Sequence, residues 1–338
     1  MPIPKELKSY ATSIGFPSSE TLARIFEILY DEEDDLKIMK ALNKPNTASE
    51  LAKKTGLSEA RIKERAEKLM KKGALTHVSK QPHIYRRFPA MIEIRDASCL
   101  NPDASQELFE LWDQLVQKEI SVLIPFIKEF NIPPVVRVIP IEETVEAQNT
   151  VLDADSVRKI FKEAKLISVI PCVCRTVALK NGRGQDCPAP KEAVCMQTNA
   201  FAQAILNRDI GEKITNEDAL RRIELAEKAG LVHMARNNIK EDMFVCNCCS
   251  CCCSGMFIVQ QGYSKAIAPS RFQVKLNAEA CQGCGTCVDR CQFGAITLDG
   301  TAIIDLDKCF GCGNCVLTCP EEALKLVEIH PLSHIRVK

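Results

Sequence analysis

The sequence predicts an α+β protein in which three domains follow one another along the chain, and three observations support this prediction. The N-terminal part repeats short amphipathic segments at helical spacing, followed by two short apolar segments. The middle alternates helical patterns with apolar strands that end at cysteines, and the last part contains one cysteine pattern written twice. The three predicted domains are 1–95, 151–270 and 271–338. A helical segment and an extended linker, 96–150, join the first domain to the second.

Composition limits the function classes. The chain has 338 residues, 46% of them hydrophobic, and a formal net charge of zero, so no global field favours nucleic acid or acidic lipid. It has no long apolar run and no signal-peptide pattern, and we expect a cytoplasmic protein without a membrane span. The 19 cysteines of such a chain indicate metal ligation rather than disulfides. Only Cys99 stands apart, and a buried structural thiol is expected there.

The N-terminal part has clear helix signals. Thr47 with Glu50 forms a capping-box pattern, and Gly56 is placed to end that helix. Ser58 is the expected N-cap of the next helix, which should run to about Lys72. Two short strands should follow. Helix, short turn, helix and hairpin together resemble a winged helix-turn-helix domain.

The second of these helices is rich in charge. Its basic residues are Arg61, Lys63, Arg65, Lys68, Lys71 and Lys72. A basic face could hold DNA phosphates, so DNA is a candidate partner. Glutamates interleave with these cations, however, and that pattern is more typical of a solvated, self-paired surface. A protein-docking or structural role is therefore favoured over DNA binding.

Prolines and hydrophobic periodicity predict the secondary structure of the linker and the central domain. Prolines between 132 and 140 exclude a helix and predict an extended crossing. Asn216 and Gly230 are the expected ends of one helix. The remaining predicted segments are a helical stretch at 102–129, a helix at 153–164, a strand at 165–171 and a strand pair at 231–236 and 242–245.

The first upstream cysteine set follows a strand end. It comprises Cys172, Cys174, Cys187 and Cys195, with the spacing C-x-C-x12-C-x7-C. Four thiolates at irregular spacing can bind zinc or an iron–sulfur cluster, and we favour a third cluster. Arg175 follows Cys174 directly and is a candidate hydrogen-bond donor to that cluster; a surface arginine is the alternative.

The second upstream set is a dense run. Six of eight consecutive residues are cysteines, namely Cys246, Cys248, Cys249, Cys251, Cys252 and Cys253. Within the run, Cys246, Cys249 and Cys252 have the spacing C-x2-C-x2-C. The run could hold a fourth cluster, share ligands with the first set, bind a cluster of higher nuclearity or present thiols to a substrate. The sequence alone does not choose among these.

The C-terminal pattern is C-x2-C-x2-C-x3-C written twice at an offset of 28 residues. Three thiolates two residues apart fit around one iron–sulfur cube, and the fourth lies too far along and ligates the other cube. Paired zinc knuckles or disulfides are the less favoured alternative. The two predicted ligand sets are Cys281, Cys284, Cys287 and Cys319, and Cys309, Cys312, Cys315 and Cys291.

These motifs resemble the bacterial-type 2(4Fe-4S) ferredoxin domain over about 271–330. Gln292 departs from that pattern, since proline is usual there and is present in the second copy as Pro320. Over about 130–330 the chain resembles multi-cluster iron–sulfur proteins of anaerobic bacteria and archaea. The resemblance implies electron transfer. From the four cysteine groups together we expect single electrons to pass through three or four 4Fe-4S clusters to or from a partner oxidoreductase.

No nucleotide-binding or catalytic-triad motif is present, so a flavin-containing oxidoreductase is the expected type of redox partner. Two other functions remain open. One is a redox-sensing transcription regulator that uses the winged helix. The other is a reductase whose substrate meets a cluster at the 246–253 cysteines. The oligomeric state is not predicted.

Overall fold

The computed structural model describes residues 2–78, 81–129, 133–145, 155–238 and 244–336, and the chain forms two compact units. The first unit contains Met1–Phe130 with Arg175–Arg183, and the second contains Asn131–Cys174 with Gly184–Lys338. Among the described residues, no helix combines the length and apolar character needed to cross a bilayer. The predicted boundary after residue 150 and the start of the strand predicted at 242 lie outside the described residues.

The first unit consists of short helices and a small sheet. Its elements are α1 (Lys8–Ser13), α2 (Glu20–Leu29), α3 (Glu33–Ala41), β1 (Asn46–Thr47), α4 (Ala48–Thr55), α5 (Glu59–Lys71), β2 (Thr76–Val78), β3 (Gln81–Arg86), α6 (Met91–Cys99), α7 (Gln106–Gln114) and α8 (Ile120–Glu129). A π-helical turn joins α7 to α8. The strands pair antiparallel in the order β1-β3-β2, which places β3 at the centre of this sheet.

The helix caps predicted in the N-terminal part are confirmed, whereas Thr215, and not the predicted Asn216, caps the later helix Asn216–Lys228. The Thr47 backbone N–H donates to Glu50 Oε2 at 2.7 Å, and the Glu50 backbone N–H donates to Thr47 Oγ1 at 3.3 Å. Gly56 ends α4 with φ +75°, a conformation that costs glycine little. The Ser58 hydroxyl accepts from the Arg61 backbone N–H and opens α5. Local sequence therefore determines the two central helices of the unit.

The cations of α5 are paired with the acidic turn and helix that precede α4. Arg65 is buried and donates to both carboxylate oxygens of Asp35, at 2.8 and 2.7 Å. Arg61 donates to Asp34 at 2.8 Å and also to Glu32. Much of the positive charge that the sequence places on α5 is therefore neutralised inside the unit.

The second unit is built around a mixed sheet. Its helices are α9 (Val157–Glu163), α10 (Val173–Lys180), α11 (Asn199–Leu206), α12 (Asn216–Lys228) and α13 (Ser254–Gln260). Its sheet strands are β4 (Val136–Val138), β5 (Ile167–Ile170), β6 (Cys195–Thr198), β7 (Glu212–Ile214), β8 (Val232–Arg236), β9 (Phe244–Cys248) and β10 (Ile267–Ala268). Their order is β10-β4-β8-β9-β6-β5-β7, and only the β10–β4 pair is parallel. Helix α10 begins in this unit, and its residues from Arg175 onward belong to the first unit.

The two faces of the sheet differ in what they bury. On one face Val245 of β9 packs in an apolar cluster with Phe161 of α9 and Ile223 of α12. On the other face Val232 and Met234 pack with cysteines, Met256 and Phe310. Because strand residues alternate between faces, helices cover one side of β9 and thiols lie on the other.

The C-terminal repeat forms the rest of the second unit. Its elements are β11 (Phe272–Leu276), α14 (Thr286–Arg290), β12 (Ile296–Asp299), β13 (Thr301–Ile304), α15 (Asn314–Leu317) and β14 (Leu324–Glu328). Strand β11 pairs antiparallel with β14, and β12 with β13. Both short helices start directly after a glycine with positive φ, Gly285 and Gly313. The repeat in sequence is therefore also a repeat in structure.

Candidate metal centres

Two glycines in the C-terminal repeat lie against neighbouring backbone. Gly283 has φ +66°, and a Cβ built on it would lie 2.1 Å from the carbonyl oxygen of Gly300. Gly311 has φ +63°, and its Cβ would lie 1.9 Å from the carbonyl oxygen of Phe272. Both positions exclude any side chain, so the cysteine loops turn tightly and keep their thiols on an inner surface.

The first thiol group lines an open cavity of about 370 Å³. Its cysteines are Cys281, Cys284, Cys287 and Cys319. Cys319 comes from the second copy of the repeat, so the structure brings together the four residues that the sequence analysis assigned to one cluster. The backbone N–H of Ala302 donates to Cys281 Sγ at 3.5 Å, which is a contact that stabilises a thiolate.

The second thiol group lines a neighbouring cavity of about 360 Å³. Its cysteines are Cys291, Cys309, Cys312 and Cys315. Phe293 and Phe310 stack in its wall with ring centroids 4.1 Å apart. The backbone N–H of Ala295 donates to Cys291 Sγ at 3.2 Å. This group also combines both copies of the repeat.

The two groups differ in exposure. Cys284 in the first group is exposed, and the Thr286 hydroxyl beside it lowers the pKa of its thiol. In the second group, burial raises the pKa of Cys312 to about 12, and burial also raises the pKa of Cys315. Thiolates in the second group therefore need a bound cation to offset their desolvation.

Strand β9 brings the upstream cysteines to the sheet. Cys246 pairs with Met234 and Cys248 with Val232, both on β8. Two residues apart on one strand, the thiols of Cys246 and Cys248 lie on the same face and hydrogen-bond to each other. Cys195, at the start of the adjacent strand β6, also hydrogen-bonds to Cys246. The contact with Cys195 is the main factor that raises the pKa of Cys246.

Further thiols join this face from the ends of β5 and β9. Cys253 hydrogen-bonds to Cys248 and to Cys174, and Cys174 Sγ lies 3.7 Å from the hydroxyl of Ser254. The hydrogen bond between Cys248 and Cys246 lowers the pKa of Cys248 to about 7. Cys172 also lies close enough to Cys248 to act on it electrostatically. We call this assembly the six-thiol group: Cys172, Cys174, Cys195, Cys246, Cys248 and Cys253.

The remaining upstream cysteines form the four-thiol group, Cys187, Cys249, Cys251 and Cys252. All four Sγ atoms lie within 4.8 Å of one another. Cys187 Sγ is 3.4 Å from Cys249 Sγ, and Cys251 Sγ is 3.6 Å from Cys252 Sγ. Cys249 and Cys252 are buried and Cys251 is exposed. Partial burial, followed by the hydrogen bond with Cys249, raises the pKa of Cys251 to about 12.

A buried polar triad supports β9 from the opposite face. His233 Nδ1 lies 2.6 Å from Asn247 Oδ1, and His233 Nε2 lies 3.3 Å from Glu227 Oε1. Glu227 also accepts from Arg158 at 2.8 Å. Burial alone would raise the pKa of Glu227, but the hydrogen bonds from His233 and Arg158 outweigh it and lower the pKa to about 2. His233 is thus a paired core histidine.

The structure divides both upstream sets that spacing suggested. Cys187 contacts Cys249, whereas the other members of the set that begins at Cys172 lie in the six-thiol group. The C-x2-C-x2-C register is divided in the same way, with Cys246 in the six-thiol group and Cys249 in the four-thiol group. Arg175 belongs to the first unit, and its predicted role beside a cluster stays a prediction.

Sequence reasoning missed this division because it grouped the cysteines by their spacing along the chain. Strand β9 extends through Cys248, so alternation pairs Cys246 with Cys248. The chain leaves the strand at Cys249, and the following turn carries Cys251 and Cys252 elsewhere. The apolar strand pattern before Cys246 is the signal that, continued through the cysteines, would have predicted this grouping.

Comparison with known families identifies one segment of the chain. Residues 280–323 match the 4Fe-4S dicluster domain. No curated protein is significantly similar to the chain. The dicluster domain indicates two 4Fe-4S clusters, and the eight thiols in two cavities behind close-packed glycines fit that requirement. The chain is therefore an iron–sulfur protein.

Proposed function

We propose that this chain is an electron-transfer protein that relays electrons between the dicluster domain and at least one further cluster at the six-thiol group. A 4Fe-4S cluster accepts and donates one electron at a time at a potential that its hydrogen bonds and burial determine. The residues around the thiols hold them at fixed separations and shield some of them from water. A reducing compartment such as the cytoplasm suits so many free thiols.

The observation that carries this proposal is the continuity between the second thiol group and the six-thiol group. Cys248 and Cys253 share one apolar cluster with Phe310, and Cys312 and Phe293 pack against the same cluster. Phe310 lies between two cysteines of the second group in sequence and lines its cavity. The two groups are thus neighbours across largely buried apolar side chains.

Polar contacts hold these groups in register. Gln292 Oε1 accepts from both the backbone N–H and the hydroxyl of Ser250, at 2.8 and 2.9 Å. Gln292 Nε2 donates to the carbonyl oxygen of Gly230 at 3.1 Å, and Asn314 Nδ2 donates to the same oxygen at 3.1 Å. The residue that departs from the usual proline therefore ties the ferredoxin loop to the upstream cysteine run. A fixed separation of this kind is what a relay requires.

The exposure of the thiols suggests where a partner docks. Cys284 is exposed at the first ferredoxin group, whereas Cys315 in the second group is buried and Cys312 is half-buried. An electron donor or acceptor would approach the Cys284 side, and the six-thiol group would receive electrons through the second group. We propose a flavin-containing oxidoreductase as the partner, since the chain carries no nucleotide-binding motif of its own.

For the N-terminal region we propose a winged helix-like domain that docks a partner protein. The order α3, β1, α4, α5, β2 and β3, with β3 central in the sheet, supports that fold. The ion pairs of Arg61 and Arg65 with Glu32, Asp34 and Asp35 weigh against a phosphate-binding face on α5. Docking to protein is therefore favoured over regulation of transcription.

Electron paramagnetic resonance of the fully reduced chain tests the relay. We expect magnetic interaction between a cluster of the dicluster domain and a third paramagnet. Replacing Cys248 and Cys253 together with serine should remove that interaction and retain about eight irons per chain. Cys99→Ser, at a buried thiol of α6, is the matched control and should leave the spectrum unchanged. A wild-type spectrum identical to that of the double variant would contradict the relay.

A further inference from the structure

We infer that the four-thiol group binds one tetrahedrally coordinated thiophilic ion, zinc or iron, and not an iron–sulfur cube. Its ligands would be Cys187, Cys249, Cys251 and Cys252. The inference concerns thiols outside the two groups of the dicluster domain and outside the six-thiol group. It does not depend on the proposed relay.

The distances between thiols carry the inference. A zinc–thiolate bond is about 2.3 Å, so four sulfurs around one tetrahedral ion lie about 3.8 Å from one another. The observed separations of 3.4 Å, for Cys187 and Cys249, and 3.6 Å, for Cys251 and Cys252, are close to that value. All six pairs fall within 4.8 Å. Four thiols around one ion account for this spacing.

The dicluster domain provides an internal comparison. Each thiolate of a cube binds its own iron at a separate corner, so its sulfurs are farther apart than those around a single ion. All eight cysteines of the dicluster domain belong to the described residues, yet among the described residues only the four-thiol group brings three or more potential metal ligands within 4.8 Å of one another. The chain thus contains two kinds of thiol group.

Local backbone builds this site. Cys249 and Cys252 lie on one turn, which the hydrogen bond from Cys253 N to Cys249 O closes at 3.1 Å. Cys187 comes from a separate loop that turns at Gly184, whose carbonyl oxygen accepts from Cys187 N at 3.2 Å. An ion held by all four thiolates would fasten that loop to the turn. Four thiolates without oxygen ligands select zinc or iron over magnesium or calcium.

Metal and sulfide analysis of variants tests the inference. Cys251→Ser changes the exposed ligand and is the variant expected to fold; Cys187→Ser changes the ligand that comes from the distant loop. Each should lower the total metal by about one ion per chain and leave acid-labile sulfide unchanged. Loss of zinc identifies a zinc site, and loss of iron without sulfide identifies a single iron. Cys99→Ser is again the control.

Substitution with cobalt gives an independent result. Full-length chain prepared with Co²⁺ should show the visible absorption of tetrahedral cobalt–thiolate coordination, and Cys251→Ser should reduce it. Loss of about four irons together with four sulfides in either variant would show a cube and overturn the inference. Unchanged metal content in both variants would overturn the inference as well. A disulfide between Cys187 and Cys249 in place of a metal site would give that result. Neither result bears on whether the six-thiol group holds a cluster.

Discussion

The dicluster domain and the upstream cysteine region solve the same chemical problem in different ways. In the dicluster domain, tight loops repeated at an offset of 28 residues present three thiols each, and glycines such as Gly283 make the close approach. Upstream, the sheet assembles the thiols, since Cys195 meets Cys246 and Cys248 because β6 and β9 are neighbouring strands. Ligand grouping can therefore be read from spacing in one region and depends on tertiary pairing in the other.

The largest expected effect concerns the backbone contacts of the repeat. Gly311→Ala would place a Cβ against the Phe272 carbonyl oxygen in a residue with positive φ. We therefore expect the free energy of unfolding to fall by about 3 kcal/mol or more and the cluster of the second thiol group to be lost. Gly300→Ala is the matched control: it has positive φ, but beyond its two chain neighbours no described residue comes within 4 Å of the new Cβ, so it should cost about 1 kcal/mol. Iron content and thermal unfolding of both variants are the measurements. Equal effects of the two substitutions would mean that the positive φ, and not the contact with the Phe272 carbonyl oxygen, is what requires glycine at position 311.

The next effect tests the crossed use of the two copies. Cys319→Ser should remove the cluster of the first thiol group, because Cys319 lines the cavity of Cys281 and Cys284. Its residual paramagnetic resonance spectrum should match that of Cys284→Ser. A match to the spectrum of Cys312→Ser instead would show that each copy ligates its own cluster.

A smaller effect concerns the support of β9. Hydrogen bonds lower the pKa of Glu227 in the folded state to about 2, below its usual value. The ionised carboxylate therefore contributes its full stabilisation of the fold above about pH 4.5, and this contribution is lost as the pH falls towards 2. Glu227→Gln should therefore destabilise the chain by about 1–2 kcal/mol at pH 7 and by less at pH 3.5. Urea unfolding followed by circular dichroism measures both.

Glu163→Gln is the control for that comparison. Glu163 is exposed on α9 and pairs across a helical turn with Lys159 at 3.6 Å, so its replacement should cost a few tenths of a kcal/mol. A Glu227 effect that does not shrink at low pH would mean that shape, and not charge, supports β9.

The smallest effect sharpens the link between the two regions. Gln292→Pro restores the repeat pattern but removes the contacts to Ser250 and Gly230. We expect a loss of about 1 kcal/mol and several-fold faster release of upstream metal to a chelator, with the first ferredoxin cluster unchanged. Gln273→Ala, which removes a single contact to Leu306 on the far side of the repeat, is the control. Equal release rates would mean that Gln292 does not hold the upstream run.

Local signals allowed much of this fold to be predicted. Thr47, Gly56 and Ser58 sit at the helix ends where capping chemistry places them. The predicted cap at Asn216 was wrong. Thr215 caps α12, and the Asn216 side-chain amide donates to the carbonyl oxygen of Phe161 instead. The helix Val173–Lys180 was also missed, since Cys174, Arg175 and Thr176 separate its first apolar residue from the others.

The candidate site was predictable only where its ligands are local. The eight cysteines of the repeat could be grouped because their loops carry the geometry with them. The upstream grouping depends on which strands pair, and no pattern within a single strand contains that information. The role of Gln292 was hidden for the same reason, because its partners Ser250 and Gly230 are distant in sequence.

The most direct test of the relay is to count iron, acid-labile sulfide and zinc in full-length chain purified without oxygen. We predict about twelve sulfides with a matching amount of iron in clusters, and one further zinc or iron ion per chain. About eight sulfides and eight irons would restrict clusters to the dicluster domain and contradict the proposed relay.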